Sequence, residues 1–243
     1  MRTITELQTN VAANTVDGDY PASNTLTAVS AERYQNTSGD NTATLTVTVA
    51  AGGANVFGVS YTNATSIVWA LKDNLGATVE SGTINLTSPR SVDRCWQAFT
   101  AQAAACTIEL AMTAPSGSTL YVGIVRSGVT ASIALAIEAI REILIDNSIR
   151  VSLAAPGAEY VELQRMLRGF VLTLKENQSA WYSLRTLYMA NGPKPLFMLL
   201  SDEFGSAENN EWCVFGKIDM PPESNRQRGG DIVITQIDIK EAG

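Results

Sequence analysis

The sequence contains no histidine. That absence removes Ser-His-Asp and Cys-His catalysis, and every metal site built on imidazole. Charge is scarce as well: Asp, Glu, Lys and Arg make up 17% of the 243 residues. Cysteine is limited to Cys95, Cys106 and Cys213, with no Cys-x-x-Cys spacing. An odd count leaves at least one thiol free, and a chain of this length needs no disulfide framework, so a reducing compartment is expected. Cys95 and Cys106 read as buried small hydrophobes rather than as a bridge between neighbouring strands. Long apolar runs are missing too. The strongest short run, Ile133 to Ile137, is far below the ~20 residues of a membrane-spanning helix. Residues 1–21 are polar, with no basic segment followed by an apolar one, so no signal peptide is expected.

What is present is an apolar, weakly acidic chain. Hydrophobic residues make up 45%, too many for a disordered protein. There are 17 Lys and Arg against 24 Asp and Glu, a net charge of -7, which argues against a general phosphate-binding surface. The length fits one large all-β domain or two ordinary ones. Composition changes near residue 130. Residues 1–130 are rich in Thr, Ser, Ala, Asn and Gly and carry a net charge of -3; residues 131–243 hold most of the long side chains and carry -4. Two domains are therefore expected, 1–130 and 131–243.

The first half reads as short strands. Leu45, Val47 and Val49 alternate with threonines and share one face. Ala51-Gly52-Gly53-Ala54 is a turn. Val56 to Tyr61 and Ser66 to Leu71 are strand-like runs, separated by Thr62-Asn63-Ala64. Thr78 to Leu86 is another, broken at Ser81-Gly82. Ile108, Leu110 and Met112 alternate with small or polar neighbours. Leu120, Val122 and Ile124 do the same after the turn Pro115–Ser118. Runs about ten residues apart with turn chemistry between them predict a jelly-roll β-sandwich.

In the second half, Ser132 to Asn147 fits a helical face and a strand equally well. A strand over about Glu142–Leu153 is favoured, then a turn at Pro156-Gly157 and a strand over about Tyr160–Leu174. The clearest helix is Gln178–Ala190, with Asn177 or Ser179 at its start and Asn191-Gly192 at its end. Trp181, Leu184, Leu187 and Tyr188 form its apolar face. Strands follow at Pro195–Leu200 and Trp212–Ile218, then a polar loop at Pro221–Gly230. The last strand changes parity between Ile234 and Ile237, which suggests a bulge. Strand edges left open by such a sheet suit assembly.

Catalytic patterns are absent. There is no Gly-x-Gly-x-x-Gly, no P-loop, no Ser-x-x-Lys and no Gly-x-Ser-x-Gly. Asp73, Glu80 and Asp93 are the carboxylates a glycosidase would draw on, but each sits beside turn residues. Asp17-Gly18-Asp19 lacks the later ligands of a calcium loop. Neither an enzyme, a cofactor nor a metal is expected. Arg165, Arg168, Lys175 and Arg185 are interspersed with Glu159, Glu162 and Glu176, the pattern of ion pairs rather than of a DNA site. For sugar contact, Trp96 with its charged neighbours is the first candidate, followed by Tyr61 and Tyr121. Trp69 reads as core.

A family resemblance rests on Arg168-Gly169-Phe170-Val171-Leu172-Thr173-Leu174, the helix ending before Gly192-Pro193, and Trp212-Cys213-Val214-Phe215-Gly216. This order resembles tailed-bacteriophage tail proteins of the tail-tube type, including distal tail proteins. The first half resembles the jelly-roll, galactose-binding-like modules of tail tips. The resemblance implies a tail-tube-like β-sandwich flanked by one helix. It implies a virion tail or baseplate component, assembled in the host cytoplasm, that forms a homo-oligomeric ring (a hexamer favoured, a trimer the other option). Its partners would be itself, other tail and baseplate proteins and a host surface glycan, with DNA passing through unbound. The alternative is a stand-alone carbohydrate-binding, lectin-like module.

Overall fold

A computed structural model of the chain describes all residues except 16, 28–31, 38, 88–91, 134, 136, 146–148, 153–158, 163–166, 175–177, 193, 202–209, 219–224, 227–231, 234–235 and 243. The architecture is mainly β, a β-sandwich with a single α-helix among the described residues. The chain divides into two compact units. The first comprises residues 1–133 and 196–215, the second 134–195 and 216–243.

The first unit contains β1 (Arg2–Glu6), β2 (Gln8–Ala13), β3 (Tyr34–Gln35), β4 (Thr42–Val49), β5 (Ala54–Thr62), β6 (Ser66–Lys72), β7 (Thr78–Asn85), β8 (Arg94–Gln102), β9 (Cys106–Thr113) and β10 (Tyr121–Ser132). One sheet runs β2-β4-β9-β6-β7, antiparallel throughout. The other contains β1-β10-β5-β8, with β3 also pairing to β10.

Period-two alternation builds the core between these sheets. Leu45, Val47 and Val49 of β4 and Ile108, Leu110 and Met112 of β9 point inward, as the sequence predicts. Phe57, Val59, Val122 and Cys95 come from the other sheet. Each such aliphatic or aromatic side chain contributes roughly 1.5–3 kcal/mol when removed from water. The Phe57 ring meets Trp69 edge-on at 5.7 Å. The expected break at Ser81-Gly82 does not occur, and β7 runs straight through it. Gly82 lies opposite Trp69, where a Cβ would stand 2.8 Å from the indole Nε1. The glycine there makes room for a ring and turns nothing. Strands β1, β2, β3 and β8 are additions to the sequence reading.

Strand β5 is buried on both faces. The inner face joins the core. The outer face is covered by side chains of residues 196–201 and 210–215, which add β15 (Leu196–Leu199), paired to β1, and the start of β16 (Cys213–Ile218). Phe197 lies over Gly58, so closely that a Cβ there would be 2.6 Å from its ring. Trp96 and Phe215 flank Phe197 at 6.1 and 6.3 Å.

Arg126 of β10 is buried beside this layer, with its guanidinium 5.2 Å from the Phe215 ring centre. It donates to the carbonyls of Thr25, Leu26 and Thr27 at 2.8–3.1 Å and pairs with Glu6 at 2.7 Å. Those carbonyls lie at the end of a 3₁₀ turn over Ala22–Leu26, where backbone acceptors need partners from outside the turn. Burial pulls the Arg126 pKa below its usual value, while Glu6 acts in the opposite sense.

The second unit contains β11 (Ile137–Ile145), β12 (Ile149–Ser152), β13 (Glu159–Glu162), β14 (Leu167–Leu174), α1 (Gln178–Asn191), the end of β16, β17 (Asn225–Arg226), β18 (Ile232–Val233) and β19 (Gln236–Glu241). The ambiguous stretch is a strand, not a helix. β11 pairs with β14, β14 with β19, and β19 with Gly216–Ile218 of β16. Phe170, Leu172, Ile237 and Ile239 form its buried apolar positions, with Leu184 of α1 buried as well. The helix ends as expected: Gly192 takes φ +62 and its N–H returns to the Tyr188 carbonyl at 2.7 Å. Arg168 pairs with Glu142, in line with the ion-pair reading of this region. Arg165, Lys175 and Glu176 lie outside the described residues or side chains. Within the expected loop at 221–230, Asn225 and Arg226 pair with Val233 and Ile232. The parity change before Ile237 separates two strands; Ile234 lies outside the described residues.

β12 and β13 continue the β11–β14 hairpin almost in register. Ile145 pairs with Leu167, and Ile149 then pairs with Glu162. Beyond the sheet this hairpin is a two-stranded ribbon whose only described strand pairing is internal.

Gly58→Ala is expected to destabilise the protein by about 1–3 kcal/mol through the clash with Phe197. Phe197→Leu in the same chain should recover part of that loss, because the smaller side chain frees the space. Chemical denaturation of the two single variants and the double variant reads this coupling.

Candidate functional site at the loop end around Tyr121

β5, β7 and β9 finish, and β4, β6, β8 and β10 begin, at the same end of the sandwich. The connections following β3, β5, β7 and β9 therefore gather there. The loops are held by side-chain amides. Asn63 accepts the Tyr121 N–H and donates to the Thr119 carbonyl, both at 2.9 Å, so its carboxamide pairs with the start of β10 as a peptide group would. Asn36 is fully buried; it donates to the Thr42 carbonyl at 2.7 Å and accepts from Thr37 N–H at 2.8 Å. Thr119 Oγ1 accepts the Gly39 N–H at 3.0 Å. Such closure fixes the loops before any ligand arrives, which lowers the ordering cost of binding.

Tyr121 is half-buried at this end, and the half-buried Arg33 guanidinium lies 4.5 Å from its ring centre. Exposed Asp40 sits on the connection after β3, and exposed Glu32 and Asp19 and half-buried Asp17 sit on the connection from β2 to β3 that also carries Arg33. The Tyr34 hydroxyl donates to the Thr15 carbonyl at 2.8 Å, and burial raises its pKa, with Asp40 adding to the effect. The face is a tyrosine and an arginine set in an acidic rim.

The other two aromatic candidates lie elsewhere. Trp96 is 5% exposed, its ring against Phe197 and its backbone N–H on Asn210 Oδ1 at 3.1 Å. Tyr61 is 3% exposed, with φ +60 and its hydroxyl donating to the Phe215 carbonyl at 3.4 Å. Neither leaves a ring face for a sugar, so the platform expected of them is corrected. The charged neighbours of Trp96 misled: Asp93 and Arg94 pair with each other at 2.6 Å, and Arg94 is buried. Arg33, Asn63 and Thr119 were not anticipated. Asn63 sits in a recognised turn, but nothing in the sequence ties Arg33 to Tyr121.

The carboxylates weighed for hydrolysis are bonded locally. Asp73 accepts from the N–H groups of Leu75 and Ala77 at 2.9 Å, shaping the β6–β7 turn at the opposite end. Glu80 accepts from Thr100 N–H at 2.8 Å. Asp17 accepts from Asp19 N–H at 3.1 Å, an Asx turn. Among the described residues no group of three or more metal-ligating side chains occurs.

No protein-family model and no curated protein matches the chain. Solved structures do. Chitosan-binding module 1 from a chitosanase/glucanase of Paenibacillus sp. IK-5 matches at 14% identity and a TM-score of 0.42, over 52% of this chain and 98% of that one. A fucose-binding module of Streptococcus pneumoniae matches at 14% identity and 0.40, over 51% and 95%. XRCC1, solved in its reduced form with the DNA polymerase β catalytic domain, matches at 14% identity and 0.39, over 50% and 96%.

All three cysteines are buried thiols outside any disulfide, and burial pushes the Cys95 thiol up to about 12. A thiol reagent at pH 8 should therefore label none of them in the folded protein and all three after denaturation. Labelling of Cys95 in the native state would contradict its placement.

Proposed function

We propose that the first unit is a carbohydrate-recognition module whose contact face is the loop end around Tyr121. The observation that carries this reading is the pairing of Arg33 with a half-buried tyrosine whose backbone is held by Asn63, beside the contacts of Asn36 and Thr119. Sugar recognition needs one apolar ring and a few placed polar groups, and this end supplies both. The acidic rim sets the ligand class. A sialylated or sulfated glycan would meet Asp17, Asp19, Glu32 and Asp40, so neutral and amino sugars fit better. The named neighbours bind chitosan and fucose, but the loop end, not the fold likeness, supports the reading. A glycan array probed with the full chain tests it. Binding to neutral or amino sugars should fall about tenfold or more in Tyr121→Ala, equivalent to about 1.4 kcal/mol. Binding confined to acidic glycans, or unchanged in Tyr121→Ala, would refute it.

A second reading concerns the second unit, and the β12–β13 ribbon favours it. A two-stranded ribbon is marginal in water by itself and gains stability by docking. We propose that this arm joins copies of the chain into a homo-oligomer, as expected of a ring-forming subunit at a phage tail tip or baseplate. The carbohydrate module would then be displayed in several copies, and multivalency would raise avidity for a host surface. Replacing residues 146–166 by a two-residue Asn-Gly turn should leave the chain folded but monomeric by mass photometry. A parent chain that is already monomeric at every concentration would sink the assembly reading and leave the sugar reading standing.

A further inference from the structure

The outer face of the five-stranded sheet in the first unit is unusual for a surface meant for water. Its rows follow from the register. Thr46 lies beside Glu109, which lies beside Ala70; Thr44 lies beside Ala111, which lies beside Val68. Val68 is 52% exposed, and Val79, where the β6–β7 register shifts, is 48% exposed. The outward positions of β4, β9, β6 and β7 on this side are otherwise Thr, Ser, Ala and Asn, apart from one charged pair. A solvated sheet face ordinarily carries long charged side chains, which also guard against association. Here only Lys72 and Glu109 are charged, and they pair with each other at 2.5 Å.

That pair sits on the half of the face nearer the β6–β7 turn, Lys72 being the last residue of β6. Glu109 is on β9, the central strand, and Lys72 is on its neighbour β6. A two-fold axis through the midpoint of the pair would bring Lys72 of one copy to Glu109 of the other, twice. The surface is thus complementary to itself in charge, and its short side chains let two flat faces approach closely. Isologous contacts have this self-complementary property. The size of the face sets the strength. Five strands ~4.8 Å apart and about seven residues long at ~3.3 Å each cover roughly 500 Å² per copy. Full overlap of two such faces would bury about 1,000 Å², the lower limit for a specific interface, and an axis at the off-centre pair gives less. The contact is therefore weak and concentration-dependent, and it adds to larger assemblies without holding one together alone.

We infer that this face is a self-association surface whose occupant is the same face of a second copy, related by a two-fold axis at Lys72–Glu109. It does not rest on the ribbon of the second unit, nor on sugar binding. The test uses charge reversal in the full chain, followed by sedimentation over a range of concentrations. The parent should show a species of twice the mass of its basal unit, whether that unit is a monomer or a ring. Lys72→Glu and Glu109→Lys should each weaken the doubling about tenfold or more, since two attractive contacts become repulsive. An equimolar mixture of the two single variants should restore it, because each contact across the interface then joins a carboxylate to an ammonium. The double variant in one chain should also restore it. Circular dichroism checks that each variant is folded, and Val68→Lys gives an independent block on the same face. The inference is overturned if the parent shows no doubling, if the single variants double like the parent, or if the mixture behaves like its components.

Discussion

Gly58 has no Cβ, and the Phe197 ring takes the space one would fill. Much of the first unit depends on that approach. It lets β15 and the start of β16 cover the outer face of a sheet that would otherwise face water on that side. Strand β5 is then buried on both faces, and Trp96 and Phe215 complete an aromatic layer around Phe197. Arg126 is enclosed beside the same layer, where its charge is met by Glu6 and its N–H groups by four carbonyls. A buried guanidinium without those partners would cost several kcal/mol. The layer and the arginine are thus mutually dependent. The Phe215 ring covers the guanidinium, and the arginine ties the 3₁₀ turn to the sheet.

This double burial decides what the sequence reveals. Strands with one wet face announce themselves by alternation, and β4 and β9 were legible for that reason. β5 shows a continuous apolar and small-residue run, which fixes it as a strand but hides which side meets which neighbour. The tryptophan in Asp93-Arg94-Cys95-Trp96 reads as a surface residue because charge normally means water. Here the two charges neutralise each other locally and the indole points into the layer formed with Phe197. The partner that buries it lies about a hundred residues along the chain, beyond any pattern of spacing. Tyr121 survives as a candidate because its contacts are with loops and not with that layer. Its companion Arg33 was invisible for the same reason of distance.

The second unit shows the converse case. Residues 132–147 carry enough isoleucine and leucine to satisfy either a helical or a strand period, and the pattern favours a strand only from about Glu142 onward. Pairing across the hairpin decides the matter, and the same pairing extends to β12 and β13. The ribbon pairs one residue out of step with the hairpin, Ile145–Leu167 giving way to Ile149–Glu162, and forms a two-stranded sheet of its own. The helix, by contrast, was readable at its end, because Gly192 with φ +62 is a local requirement and needs no distant partner.

The placement of charge bears on both proposed contacts of the first unit. The net charge of -7 suggests uniform repulsion between copies, but charge is not uniform on the first unit. Acids concentrate on the loop end with Tyr121, while the outer sheet face holds one neutral pair. Repulsion falls off within about 8–10 Å at physiological ionic strength, so acids on the loops do little against contacts made on a different face. A face stripped of charge lowers the desolvation cost of approach; a rim rich in charge raises it and excludes anionic ligands. Charge therefore acts through its placement: on the proposed readings, the sparsely charged sheet face is the one that meets a second copy, and the acidic loop end the one that meets a sugar.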